Sequence, residues 1–385
     1  MSLIVGRVDS GKIILLGDSK LTYAYHNANP YLEGCLKLYI VNPQLAFGFA
    51  GIVEDFEQAL PSLLTATNAA NLVNIAQDFK KTKNLDFDLI AAQAGESNLH
   101  VLKGNQISHS VVAHIGDEDG FEAYQKAYLS SEPGIQAQVD RAYISIALQP
   151  EPEWDGKMYV CMTSAFNAVL KNEDIKSVDG ILVPLCTHKG AFQYMTYVDA
   201  ISDPFEITKV MDLGRPIDFG TAEHGSFSVE LCEASPHGGS CKDVGFYFLQ
   251  GGFGVIFPPN TNGLKRPKIV KALNLALWVL NTSKEYGYGV ASGYMTPDHC
   301  GIAGEFLMQE QNWKDALYCY ELGKDAKGLK ERTAVFDRYM SGYAVSMFNI
   351  GRQKDAITLL EDLIGDNKSL PLCGECLFKL KQAVY

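Results

Sequence analysis

Ser2 is the residue from which this chain's chemistry can be argued. Its small side chain permits removal of Met1, which would leave a hydroxyl and a free α-amine on one residue. That pair is complete for nucleophilic catalysis: the amine takes the hydroxyl proton while the oxygen attacks a carbonyl. An α-amine suits the role because its reference pKa, about 7.7–8.0, lies near neutrality. The plain alternative is an ordinary second-position serine. Other groups offer less. Cys232, His237 and Cys241, with His224 nearby, are metal-capable but follow no recognised ligand spacing, so a loop with ordinary thiols and no metal is expected. Cys373-Gly374-Glu375-Cys376 has neither a second pair nor a βαβ context and reads as structural or incidental. The stretch Gln250 to Gly254 lacks the Lys and the following helix of a phosphate loop, and no cofactor is implied.

The elements that must position Ser2 are short apolar runs bounded by turn residues. Leu3 to Val8 and Ile13 to Leu16 flank Asp9-Ser10-Gly11, and Leu36 to Val41 and Leu45 to Phe49 flank Asn42-Pro43, so the chain opens as two hairpins. Ile52 to Leu64 has helical spacing, with Pro61 as an interruption or break, and residues 72–79 repeat that spacing. Residues 87–93 and 99–102 form another hairpin, and 106–115 a further strand. Helical spacing returns at 121–129 and 158–170, before strands at 181–186 and 192–198. Strands, two helices, strands, two helices, strands is the order of a four-layer αββα sandwich, so the predicted class is α+β.

This pattern resembles the proteasome β-subunit branch of the N-terminal nucleophile hydrolases. In that family a nucleophilic hydroxyl residue begins the first strand, and sixteen residues later the second strand ends in Asp-Ser; Ser2 and Asp18-Ser19 match. A Lys then opens a strand closing in Asn-Pro, here Lys37 to Pro43. A strand ending Ala-Gly follows before a helix, here Ala50-Gly51. An Asp-x-x-Ser precedes a late strand, here Asp174 to Ser177. The resemblance covers roughly the first half of the chain. It departs in a loop three residues longer before Lys37, in Ser for the usual Thr at position 2, and in Val178-Asp179-Gly180 where Gly-Gly is common. The family's central Gly-Ser-Gly is nearest to Gly116-Asp117-Glu118, so its supporting Ser is missing or replaced by Asp117.

In a sandwich whose sheets are buried on both faces, an ammonium at Lys37 needs a partner, and Asp18 at the end of the neighbouring hairpin is the obvious one. Their cation would sit beside Ser2, lowering the amine's pKa and favouring the attacking oxyanion. Gly51, at a helix entry, could give a backbone N–H to an oxyanion hole and let substrate approach closely. By resemblance, Asp174 and Ser177 would orient the α-amine. Read singly, Asp18 is a turn residue, Lys37 an edge-strand charge, Gly51 a helix start, and Asp174 with Ser177 a turn cap.

Length and composition set the frame. At 385 residues the chain is too long for one ordinary core. Nine cysteines without regular spacing suit a reducing cytosol, so a cytoplasmic location is expected. A net charge of −12 argues against nucleic acid and acidic membranes, and no run of eighteen apolar residues suggests a transmembrane helix. Residues 1–204 form the expected hydrolase-like domain. Residues 205–262 read as a strand-rich subdomain, and 263–385 as a helical domain opening with an amphipathic helix from Lys265 to about Leu280. In its last ninety residues Lys314-Asp315-Ala316-Leu317 recurs as Lys354-Asp355-Ala356-Ile357, with Gly304 and Ala344 each twelve residues before the alanine. This resembles tetratricopeptide repeats at a longer period. The implied protein is a peptidase or other amide hydrolase acting on a peptide or small amide, assembled as a homo-oligomeric ring. The competing reading is an inactive scaffold whose helical tail binds a protein partner.

Overall fold

The first turn of the chain shows how local residue choice sets the frame. Strands β1 (Leu3–Asp9) and β2 (Lys12–Gly17) pair antiparallel from Ile4↔Gly17 to Asp9↔Lys12. The two residues between them, Ser10 and Gly11, both have positive φ, 49° and 79°, as a two-residue hairpin turn matched to strand twist requires. The computed structural model describes residues 2–19, 34–131, 156–180, 182–188, 190–194, 226–233, 241–248, 253–257, 263–272, 274–290, 297–324, 329–366 and 369–384. Among them it is a mixed α/β structure of three five-stranded sheets and ten helices.

Next come β3 (Leu38–Asn42), β4 (Leu45–Gly51), helices α1 (Val53–Leu63) and α2 (Ala69–Lys83), and strands β5 (Phe87–Gln93), β6 (Leu99–Lys103), β7 (Gln106–Ser110) and β8 (Val112–Gly116). Helix α1 runs through Pro61 to Leu63, with the proline in its last turn. The single strand expected over 106–115 is two strands. They separate at Val111, whose carbonyl accepts a bond from the Val8 N–H. Helices α3 (Glu118–Ser131) and α4 (Gly156–Leu170) precede β9 (Val183–His188) and β10 (Ala191–Tyr194). The first sheet has the order β10-β9-β2-β1-β8 and the second β3-β4-β5-β6-β7. Residues 195–198 of the expected 192–198 strand lie outside the described residues.

The chain divides into two compact units, the first comprising Met1–Glu230, Ser240–Gln250 and Val255–Ile269. Within it α1 and α2 cover the second sheet, burying Phe56, Leu60, Leu63, Leu72 and Val73 with Tyr39, Phe47, Phe49 and Phe87. Helices α3 and α4 cover the first sheet, burying Phe121, Tyr124, Met162 and Phe166 with Leu3, Val5, Ile14 and Leu16. The opposite faces of the two sheets meet each other. A Cβ built on Gly48 of β4 would fall 2.8 Å from Ile4 of β1 and 2.6 Å from Leu38 of β3, so only hydrogen fits there. This double coverage explains why Leu3, Ile4 and Val5 are all fully buried and why β1 is a continuous apolar run.

The remaining strands are β11 (Ser226–Glu233), β12 (Cys241–Phe248), β13 (Phe253–Ile256), β14 (Lys268–Lys271) and β15 (Tyr288–Val290), in a third sheet of order β14-β13-β12-β11-β15. The helix expected over 265–280 is instead strand β14 followed by α5 (Leu275–Tyr286). Asn274 caps α5 by accepting the Leu277 N–H at 3.0 Å, and so sets its start at Leu275 rather than at Lys265. The second unit includes Val270–Tyr385. Its helices α6 (Pro297–Gln309), α7 (Trp313–Gly323), α8 (Thr333–Asn349), α9 (Gln353–Asp366) and α10 (Pro371–Val384) pack each on the next. Ala316 and Ala356, the alanines of the recurring tetrapeptide, are fully buried. Gly304 lies so close to the Tyr320 ring that a Cβ would come within 2.6 Å.

Candidate active site

Five chain segments converge where β1 begins. The first sheet brings the end of β2, and β8 on its other side, to the start of β1. Asp18 directly follows β2 and is fully buried. Its Oδ1 accepts the N–H of Leu3 at 3.0 Å, continuing the β1–β2 ladder with a side chain. Its Oδ2 accepts a hydrogen bond from Lys37 Nζ at 2.8 Å, and Lys37 is only 1% exposed. Lys37 lies in the extended segment just before β3, not within a strand. Its carbonyl accepts the Phe49 N–H of β4, which fixes where the ammonium projects. Burial pushes the Asp18 carboxyl up from its ordinary value. Lys37 and the N–H groups of Leu3 and Asp179 oppose that shift by stabilising the anion. A buried carboxylate and ammonium need this proximity, because either without a countercharge is costly in a low dielectric.

Ser2 is 7% exposed and precedes the Leu3 amide that Asp18 holds. Its carbonyl is held from the other side, where the Asp117 N–H donates to it at 2.8 Å. The peptide unit between Ser2 and Leu3 is therefore pinned at both polar ends. Gly116, the last residue of β8, has φ 96°, and a Cβ there would fall 1.7 Å from the Ser2 oxygen. The same Cβ would be 3.1 Å from Ala50, which places the end of β4 beside Ser2. Gly51 follows Ala50, is exposed, and has φ 129°. A Cβ there would meet the Phe87 Cα at 2.6 Å. A side chain at this position would therefore collide with the start of β5.

Ser177 and Asp174 separate in the structure. The Ser177 hydroxyl donates to Asp117 Oδ2 at 2.6 Å, joining the group around Ser2. Asp174 is exposed on the turn after α4 and is not brought to it. That turn is set locally, by Asp174 N–H donating to Asn172 Oδ1 and Ile175 N–H to the Asn172 carbonyl. Ile175 and Val178 pack inward against the core of the first sheet, which turns Asp174 to solvent.

The Asp179 amide is a site group that the sequence motifs do not assign, and Asp117, the residue nearest the resemblance's supporting Ser, is brought to the Ser2 carbonyl. Asp117 is the N-cap of α3: its Oδ1 accepts the Gly120 N–H at 2.6 Å, while its carboxylate also receives Ser177. The signal available in the sequence is an Asp directly before a helical run. The Asp179 amide reaches Asp18 because Gly180, at φ 90°, folds the turn back and donates to Asp179 Oδ1 at 2.7 Å.

Elsewhere no group of three or more metal-capable side chains assembles among the described residues, where His224 and His237 are not included. Cys373 and Cys376 are buried at the start of α10, and burial pushes the Cys373 thiol up to about 12, so the C-x-x-C lacks thiolate character. No described helix is long and apolar enough to cross a membrane. Comparison by sequence finds no matching family model and no matching curated protein. Among solved structures the chain is similar to the crystal structure of eukaryotic HslV from Trypanosoma brucei. The identity is 18% and the TM-score 0.33, over 48% of this chain and 98% of that one.

Proposed function

We propose that the first half of this chain is an N-terminal nucleophile hydrolase of proteasome-like build that cleaves an amide bond, most simply in a peptide. The observation that carries the reading is the buried Asp18–Lys37 pair tied through the Leu3 N–H to the residue that follows Ser2. In this reading the two sheets and their helix layers form an αββα sandwich, and the start of β1 lies in the cleft between the sheets. Ser2, freed of Met1, supplies hydroxyl and α-amine. The amine removes the hydroxyl proton, Oγ adds to the substrate carbonyl, and the Gly51 N–H receives the developing oxyanion. The tetrahedral adduct collapses as the α-ammonium returns the proton to the leaving nitrogen, the C–N bond breaks to release the amine product, and the ester left on Ser2 is then hydrolysed by water. Lys37 favours the deprotonated amine by charge repulsion, and Asp18 holds Lys37 in place. Assembly into a ring of identical chains and a protein partner for the helical tail belong to the same proposal.

The test is capture by a peptide epoxyketone, which engages both groups of such a residue. The hydroxyl adds to the ketone, and the amine opens the epoxide. Mass spectrometry should find one whole reagent added at residue 2, and none on a Ser2→Ala variant. The exposed position of Asp174 favours a second reading, a non-catalytic member that keeps the fold as an assembly scaffold. An intact mass that retains Met1 decides for the scaffold.

A further inference from the structure

We infer that Leu264 and Lys265, expected from the sequence to lie at the start of the helical domain, are positioning residues for Lys37. This rests on the hydrolase reading above. Lys37 precedes β3, and the β3–β4 ladder begins only at Leu38↔Gly48. The Phe49 N–H binds the Lys37 carbonyl, and the Cys35 N–H donates to the Ser19 carbonyl at 2.8 Å. Between those two bonds the chain is held from far along the sequence: the Leu36 N–H donates to the Lys265 carbonyl at 2.8 Å. The Lys265 N–H in turn donates to the Tyr39 hydroxyl at 3.3 Å, across 226 residues. Lys265 is therefore tied to the residue before Lys37 and to a side chain two residues after it.

Leu264 anchors this segment. It is buried in the core that α1 and α2 form on the second sheet, together with Cys35, Tyr39 and Phe56. Its N–H donates to Glu57 Oε1 of α1 at 3.4 Å. Residues 255–269 belong to the same compact unit as β1 to β10. The consequence falls on the ion pair. Asp18 is fixed by the Leu3 and Asp179 N–H groups, so its carboxylate cannot follow a displaced lysine. Lys37 reaches it at 2.8 Å on a flexible four-carbon stem, and such a bond weakens steeply as its geometry departs from ideal. Releasing residues 36 and 37 lets the ammonium leave Asp18, and misplacing a supporting group by about 1 Å can cost about 100-fold in rate.

The experiment is saturation kinetics of peptide epoxyketone capture by the full chain, with Met1 removal verified by mass and each protein assayed well below its unfolding temperature. Leu264→Ala removes the anchor, and Leu264→Met restores its volume. Leu72→Ala takes a buried leucine from the same core on α2 and controls for lost stability. Leu264→Ala should lower the maximal capture rate about tenfold at an unchanged half-saturating concentration, with faster amide exchange in the peptide containing Leu36. Leu264→Met and Leu72→Ala should stay within about twofold of wild type. A maximal rate for Leu264→Ala equal to wild type, or an equal loss in Leu72→Ala, overturns the inference and leaves the hydrolase reading intact. If Leu264→Ala does not fold, Tyr39→Phe takes its place, because it removes only the hydroxyl that accepts the Lys265 N–H. A several-fold lower maximal rate in Tyr39→Phe then supports the inference, and a rate equal to wild type overturns it. Wild type that is captured at no reagent concentration removes the hydrolase reading, and this inference with it.

Discussion

Replacing Lys37 by methionine tests the arrangement most directly, because it removes a charge and keeps most of the volume. Asp18, fully buried, would then face the interior without its cation. Remaining ionised costs about 3–5 kcal/mol, the range for breaking one side of a buried pair. The other course is to take up a proton. Holding an Asp of reference pKa about 3.9 protonated at pH 7 costs about 4 kcal/mol, falling by about 1.4 kcal/mol per pH unit. The cheaper course governs, so the variant should lose about 3–4 kcal/mol at pH 7 and about 1.5 kcal/mol at pH 5. The direction follows from linkage. In the variant the folded-state pKa of Asp18 stands above its unfolded value, so stability is greatest below about pH 4 and declines as pH climbs toward the folded value. Urea unfolding at both pH values, with unchanged m, measures the difference. Adding Asp18→Asn should recover at least half of the loss at pH 7. A loss that is equal at both pH values, or no recovery in the double variant, would refute a buried and mutually dependent pair.

Gly116→Ala should destabilise by about 3 kcal/mol or more, since strain at positive φ joins a Cβ placed against the Ser2 carbonyl. Thermal unfolding checks it, and a Tm within 2 °C or so of wild type would contradict the tight contact. Asp337→Ala removes the carboxylate that accepts the Leu372 and Cys373 N–H groups at 2.9 and 2.8 Å. Loss of that cap on α10 should cost about 1–2 kcal/mol and increase amide exchange in α10 before the rest of the chain. Cys35, Cys300, Cys319 and Cys373, all buried with thiols pushed up to about 12, should resist alkylation at pH 8 and react only on denaturation, as peptide mapping would show.

The legible parts of the fold were those dictated by near neighbours. The Ser10-Gly11 turn, the apolar runs of β1 to β4 and the helix after Gly51 each follow from residues within a few positions. The proximity of Asp18 to Lys37 followed from one further step, that a lysine entering a strand buried on both faces must find an anion. The helix expected over 265–280 failed for a local reason with a tertiary cause. Val270 lies buried in the third sheet and Asn274 restarts the chain as a cap, so β pairing prevailed over a helical apolar spacing.

Motif matching could not separate Asp174 from Ser177, three residues apart. Which one faces Ser2 depends on Ile175 and Val178 burying their side chains and on the local bonds to Asn172. Asp117 entered the site for the complementary reason: it lies 115 residues from Ser2 in the chain and becomes its neighbour only through the β1–β8 pairing. By itself the amino-acid order determined the strands, the turns and the need for a countercharge, because these rest on backbone preference and solvation. Which carboxylates stand beside Ser2 was decided by strand order and turn packing, since electrostatic contact depends on distance in space, and no local rule supplies that distance.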